Sequence, residues 1–256
     1  MSSLEISFII FGCLLTSALF GLFLKSMLPA HHLEVSSKDA IKIGAGLIAT
    51  LTALVLGLLV SSAKSTYDSM NDQIKQFSAT IVVLDHALAQ YGEEAEPIRE
   101  MVKHNLIFAH DKIWPSKDVK NINIQAVEKA PGMEAVREKI MELNPTTDKQ
   151  KALQTDALSI AAELTHLRWQ LIEHETGSLP VPFLIVLVFW LAIFFITFGL
   201  LSPSNGTIIA MMVVCTLSVA GAMFLILEMN MPLQGMIKVS DESVLKALQY
   251  MNVKGS

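Results

Sequence analysis

Five small residues, Gly46, Thr50, Ala53, Gly57 and Ser61, follow one another at intervals of four, three, four and four. On a helix that spacing places them on one narrow face. In an apolar segment such a stripe has two readings. Small side chains let two helix backbones approach closely, the small-xxx-small packing of membrane helices. They also leave room beside the helix, where the hydroxyls of Thr50 and Ser61 can meet a permeating ion. Leu47, Leu51, Leu54 and Leu58 flank the stripe, and a shorter one, Ser17 and Gly21, reads as packing. The second candidate is Glu228, in LILEMNMPLQG at the end of an apolar run. A carboxylate at the hydrocarbon boundary is costly unless solvated, paired or beside a cavity. It reads either as an acid at a pore mouth or as a structural acid satisfied by a neighbouring helix end. Pro232 and Gly235 follow it and break the helix.

Other chemistries find little support. Glu163 and His166 form one Glu-x-x-His pair, and Glu100 and His104 lie four apart. A carboxylate-bridged di-metal bundle needs two Glu-x-x-His elements and two further Glu residues. No metal is therefore expected, and His31 and His32 read as loop residues. Asp85–His86 is an isolated pair on an amphipathic stretch and reads as solvated. Cys13 and Cys215 lie in apolar runs without a spaced partner, so they read as small buried apolar residues rather than a disulfide or zinc site. No nucleophile elbow, phosphate loop, HExxH or dinucleotide fingerprint is present, which argues against an enzyme and against a cofactor. The net charge of −5 provides no basic footprint for nucleic acid.

The elements that position these residues are membrane helices. Runs 6–24, 43–60, 181–201 and 208–227 contain no Asp, Glu, Lys, Arg or His. Each approaches the roughly 20 residues a bilayer requires. Charged residues make up 17% of the chain, below the roughly 25% of a soluble domain, and they concentrate between Lys64 and Glu175. The expected fold is an all-α integral membrane protein: spans one and two within 1–62, a helical extramembrane domain over 63–178, spans three and four within 179–229, and a C-terminal segment 230–256. The first run lacks a basic flank and carries Glu5 ahead of it, so it reads as a retained helix rather than a cleaved signal. Four spans put both termini and the insert on one face. Lys64, Lys75, Arg168, Lys238 and Lys246 near that face, against Lys25, Lys38 and Lys42 opposite, lean toward a cytoplasmic insert.

The insert reads as helix throughout, apart from an irregular stretch at 116–130. Ile74, Phe77, Ile81, Leu84, Leu88 and Tyr91 form a seam at three- and four-residue spacing, as do Leu153, Ala157, Ile160, Leu164, Leu167 and Leu171. No Gly or Pro falls between Gly57 and Gly92, so the second span is expected to continue as one long helix. A second helix is expected over 93–114, a short one over 131–143, and a last one capped by Thr147 or Asp148 and reaching Gly177.

Two segments carry a family resemblance: LVLGLLVSSAKSTYD at the exit of the second span and LILEMNMPLQGMIKVS at the exit of the fourth. With the two-plus-two arrangement of spans, they resemble the bacterial bestrophin-like family over nearly the whole chain. The resemblance implies an ion channel, through distant similarity to bestrophins, which are pentameric anion channels with a cytosolic helical domain and a second span lining the pore. Bestrophins close their neck with bulky apolar residues, whereas this stripe is glycine, alanine, threonine and serine, and their acidic calcium-binding cluster has no counterpart here. Residues and resemblance together lead to an oligomeric inner-membrane channel of unassigned selectivity, with the bilayer, further copies of the chain and inorganic ions as its partners. The alternative is a non-conducting membrane scaffold or sensor whose exposed seams dock a partner protein.

Overall fold

A computed structural model describes residues 2–29, 34–114, 132–176 and 181–253. The stretch 116–130 expected to be irregular, together with His31 and His32, lies outside them. Among the described residues the structure is all helix, without a strand. In chain order the α-helices are α1 (Ser3–Met27), α2 (Val35–Tyr91), α3 (Glu96–Ile113), α4 (Met133–Met141), α5 (Asp148–Thr176), α6 (Val181–Leu201), α7 (Gly206–Met229) and α8 (Glu242–Val253), with a 3-10 turn over Glu93–Ala95. Four of them, α1, α2, α6 and α7, are long and apolar enough to cross a membrane. The second span does continue without a break: α2 is one helix of 57 residues. It ends at Gly92, whose φ of 131° is a backbone conformation that side-chain-bearing residues rarely adopt.

The chain divides into two compact units. The first, Met1–Thr66 with Ser178–Met231, holds the apolar helices. Its core joins Ile10, Leu14 and Ala18 of α1 to Leu187, Leu191 and Phe195 of α6 and to Met212, Met223 and Ile226 of α7. The closest approach is between α1 and α6. A Cβ on Gly21 would collide with the Ile196 carbonyl, and one on Gly199 would collide with the Ala18 carbonyl. Each glycine admits the other helix's backbone, so the packing reading of Gly21 is borne out. Lys25, in the last turn of α1, donates from Nζ to the Ser202 carbonyl at 2.8 Å and so satisfies a free acceptor at the end of α6.

The second unit, Tyr67–Gly177 with Pro232–Ser256, is a helical domain. Both seams enter its core: Ile74, Ile81, Leu84, Leu88 and Tyr91 of α2 and Ala157 and Leu164 of α5 are buried there, with Phe77, Leu153, Ile160 and Leu171 packed against it. Thr147 caps α5. Its Oγ1 accepts from the Gln150 amide at 3.1 Å, while Gln150 Oε1 accepts from the Thr147 amide at 3.2 Å, a reciprocal box. Gln150 also donates to the Tyr91 carbonyl at 3.3 Å, bringing the start of α5 to the end of α2. Gln154 donates to the carbonyls of Ile140 and Leu143 and closes the C-terminus of α4. Val244, Ala247 and Met251 of α8, with Leu233 and Val239 before it, bury into the same core. The residues after the fourth span therefore share one hydrophobic core with the insert.

The domain corrects one sequence expectation. Asp85 is not solvated: it is 1% exposed and grips Arg99 of α3 through two bonds, Nε to Oδ1 at 2.9 Å and Nη2 to Oδ2 at 3.2 Å. Arg99 Nη1 also reaches Glu96 at 2.6 Å. The reason is register. Position 85 lies four after Ile81 and three before Leu88, so the stripe of α2 that packs inward is wide enough to include it. His86, one residue on, turns outward. The hydrogen bonds that Arg99 donates to Asp85 raise its pKa further above the ordinary value, so the guanidinium stays charged.

Candidate functional site

The second span presents two unlike faces within the first unit. Thr52 and Ala63 are buried, and Val55, Leu56 and Leu59 pack against the core of the unit. On the other face Gly46, Thr50, Ala53, Gly57 and Ser61 are all exposed, together with the flanking leucines 47, 51, 54 and 58. Of the four spans α2 is the least covered: 6% of its most apolar window is buried, against 22–28% for the other three.

The glycines divide accordingly. A Cβ on Gly46 or Gly57 would meet nothing within 4 Å, unlike one on Gly21 or Gly199. The α2 stripe is therefore not packed against the other helices of this chain, unlike Gly21 and Gly199. Thr50 Oγ1 donates to the Leu47 carbonyl at 2.8 Å, which commits its proton to the helix and leaves its oxygen to accept from outside. The exposed surfaces of α1 and α6 are different in kind, built from Phe8, Phe20, Phe23, Phe183 and Phe189. Large apolar side chains of this type give acyl chains a continuous contact surface.

Glu228 lies apart from this stripe, in the last turn of α7, and is 3% exposed. Its carbonyl accepts from the Met231 amide at 3.1 Å, part of the tightened turn that ends the helix. The burial accords with the structural half of its two readings, since an acid ring at a pore mouth needs carboxylates on the surface of each subunit. Sequence reasoning passed over α7 itself, where Ser218 and Gly221 are also exposed and a Cβ on Gly221 would meet nothing within 4 Å. Their three-residue spacing was the available signal.

The remaining candidates are dispersed. Glu163 and His166 on α5 and Glu100 and His104 on α3 face outward, and among the described residues no three His, Cys, Asp or Glu side chains converge. Both cysteines are free, but Cys13 is exposed rather than buried, because it falls on the outer side of α1, away from Leu14 and Ala18.

A family model for the Bestrophin-like domain matches residues 12–244. The chain belongs to the bestrophin-like family. No curated protein and no solved structure matches it. Membership covers both units, and together with the four apolar helices it makes this a membrane protein related to a family of channels. In this bestrophin-like chain the open face of α2 is one of the surfaces that its own fold leaves uncovered.

Proposed function

We propose that this bestrophin-like chain assembles into a homo-oligomeric ion channel of the bacterial inner membrane, with Gly46, Thr50, Ala53, Gly57 and Ser61 of α2 along the pore. The observation that carries the reading is the contrast between the faces of the spans. Where α1 and α6 expose phenylalanines, α2 exposes a stripe of small and hydroxyl-bearing residues flanked by leucines. A stripe of that kind gives lipid little contact, but it leaves space for water and ions on the axis of a ring. A ring also requires two different faces of each subunit to meet. Ser218 and Gly221 on α7 offer a second uncovered small-residue patch for the neighbour. Five subunits is the number that the family resemblance implies. Glu228, buried within its subunit, takes the structural role.

The scaffold reading relied on seams that remain available to a partner. Both seams are spent in the core of the helical domain, so no observation favours it.

Conduction is tested with purified protein in a planar bilayer under a potassium chloride gradient, and the expected result is a current with a defined reversal potential. Gly57→Trp adds bulk on the open side of α2, where a Cβ meets no other atom of the chain within 4 Å, so it should alter conductance while leaving the oligomer intact on size exclusion. Unchanged current in that variant, or silence from inserted and assembled wild type, overturns the assignment.

Orientation has a separate test. Because α8 shares a core with the insert, both are assigned to one side of the bilayer, and the excess of lysine and arginine near that face supports the cytoplasm as that side. A fluorescent reporter fused after Ser256 should light up in the cytoplasm, whereas an alkaline phosphatase fusion at the same point should stay inactive. The reverse pattern excludes this topology.

A further inference from the structure

The chain leaves the fourth span and turns at once. Pro232, three residues after the end of α7 at Met229, opens a loop that closes on itself, the Val239 amide donating to the Pro232 carbonyl at 2.9 Å. Three residues of chain span at most about 10 Å, and the closing bond brings Val239 back beside Pro232, so both ends of the loop stay near the last turn of the span. Side chains of the helical domain hold it in place. The Tyr67 hydroxyl of α2 donates to the Lys238 carbonyl at 3.2 Å. The Trp114 indole N–H, at the end of α3, donates to the Val239 carbonyl at 2.9 Å. Just beyond the loop, His110 Nε2 lies 3.1 Å from Asp241 Oδ2.

Tyr67 sets the height of the loop along α2. It lies seven residues past Val60, where the apolar run ends, and three past Lys64, the first charge after that run. On one unbroken helix those intervals measure about 10 Å and about 4.5 Å. The Cα–Cβ bond of a helical residue tilts toward the N-terminus, which on α2 is the side of the apolar run, and any tilt of the helix lowers the height further. The polar layer of a bilayer adds about 5–7 Å on each side of the hydrocarbon. A backbone held at that height belongs to the headgroup layer.

The loop carries side chains suited to that layer. Leu233 and Val239 enter the core of the domain, whereas Met236 is 72% exposed and Ile237 37%. Lys238, next along, is exposed as well. Two apolar side chains beside a cation match an interfacial anchor: the apolar groups enter the acyl boundary while the ammonium stays with anionic phosphates. Tyr and Trp, the residue types that hold the loop, are those that concentrate at the same level of a membrane.

We propose that the loop 232–239 is an interfacial anchor, with Met236 and Ile237 dipping into the acyl boundary of the adjacent leaflet and Lys238 among anionic headgroups. The occupant is the bilayer, because the end of α7 and the contact from Tyr67 both hold the loop at its surface. The inference rests on the four spans and stands whether or not the protein conducts.

Spin labelling of the full chain in nanodiscs containing phosphatidylglycerol tests it, in a background of Cys13→Ala and Cys215→Ala. Met236→Cys carries the label outside the core, and Asp148→Cys, at the fully exposed start of α5, is the aqueous control. Oxygen concentrates among acyl chains and a water-soluble nickel chelate is excluded from them, so the ratio of oxygen to nickel collisions at 236 should exceed that at 148 about tenfold. Equal ratios at the two positions overturn the proposal. So does a label at 236 shielded from both relaxing agents, which marks a site covered by protein, whether its own domain or a second copy. Lys238→Ala should lower the ratio at 236 in phosphatidylglycerol and leave it unchanged in pure phosphatidylcholine; any other pattern overturns the part given to Lys238.

Discussion

Leucine at Gly21 or Gly199 will destabilise the membrane unit by more than about 3 kcal/mol, because it separates two backbones rather than crowding two side chains. At these positions a Cβ would overlap a carbonyl of the facing helix, and a helix backbone cannot rotate aside as a side chain can. Moving α1 away from α6 also loosens the layer around Leu14, Ala18, Leu191 and Phe195, which owes its burial to that approach. In lipid no hydrophobic drive restores the contact, since acyl chains are as apolar as the residues they would replace, so association depends on close fit. The control is built into the same unit. Gly57→Leu adds the same side chain where a Cβ would meet no atom within 4 Å, so it should change the stability of the fold by no more than about 0.5 kcal/mol. Unfolding measured in bicelles or by thermal melting should rank wild type and Gly57→Leu together and both Gly21→Leu and Gly199→Leu far below. If Gly21→Leu melts with wild type, the close approach of α1 and α6 is not a feature of the folded protein.

Arg99→Met should cost about 3–5 kcal/mol, through what it leaves behind rather than what it removes. Asp85 would be left in the core without its two-pronged partner, and Glu96 would lose its contact as well. Arg99→Lys should recover only part of the loss, because an ammonium cannot reproduce the parallel pair of bonds to Oδ1 and Oδ2. The informative variant is the double one. Asp85→Leu with Arg99→Met replaces a buried ion pair by apolar side chains of similar bulk, a change that is often neutral or stabilising. Denaturation of wild type, Asp85→Leu, Arg99→Met and the double variant gives the coupling energy directly. A double variant as unstable as Arg99→Met alone would mean that the pair does more than satisfy itself, for instance by fixing the register of α3 on α2.

Much of the architecture was legible because its signals are local. A span of apolar residues without charge admits one solution in lipid, a helix that satisfies its own backbone. The third span accordingly starts and ends where the apolar run does, the first and fourth extend it by two or three residues at each end, and the second runs on into the helical domain. The continuation of α2 followed from the absence of Gly and Pro between Gly57 and Gly92, and of the two cap residues the sequence offered, Thr147 and Asp148, the structure uses Thr147. The two seams carried their own spacing and became core.

Other features depended on which side of a helix meets a neighbour, and spacing along one chain does not carry that information. Gly21 and Gly57 are the same residue in similar apolar helices, yet one admits a facing backbone and the other opens onto nothing in its own subunit. Asp85 and His86 differ by one position, about 100° around the helix, and that rotation separates a buried ion pair from an outward side chain. The His110–Asp241 contact spans 131 residues, and no local pattern announces it. Sequence alone determined that the chain is a four-span helical membrane protein with a helical insert, because hydrophobic length and period are properties of each segment taken singly. Only the tertiary structure decided which glycines pack, which carboxylates are buried and which face of α2 stays open, because those are properties of pairs of surfaces and arise only when the helices have chosen their partners.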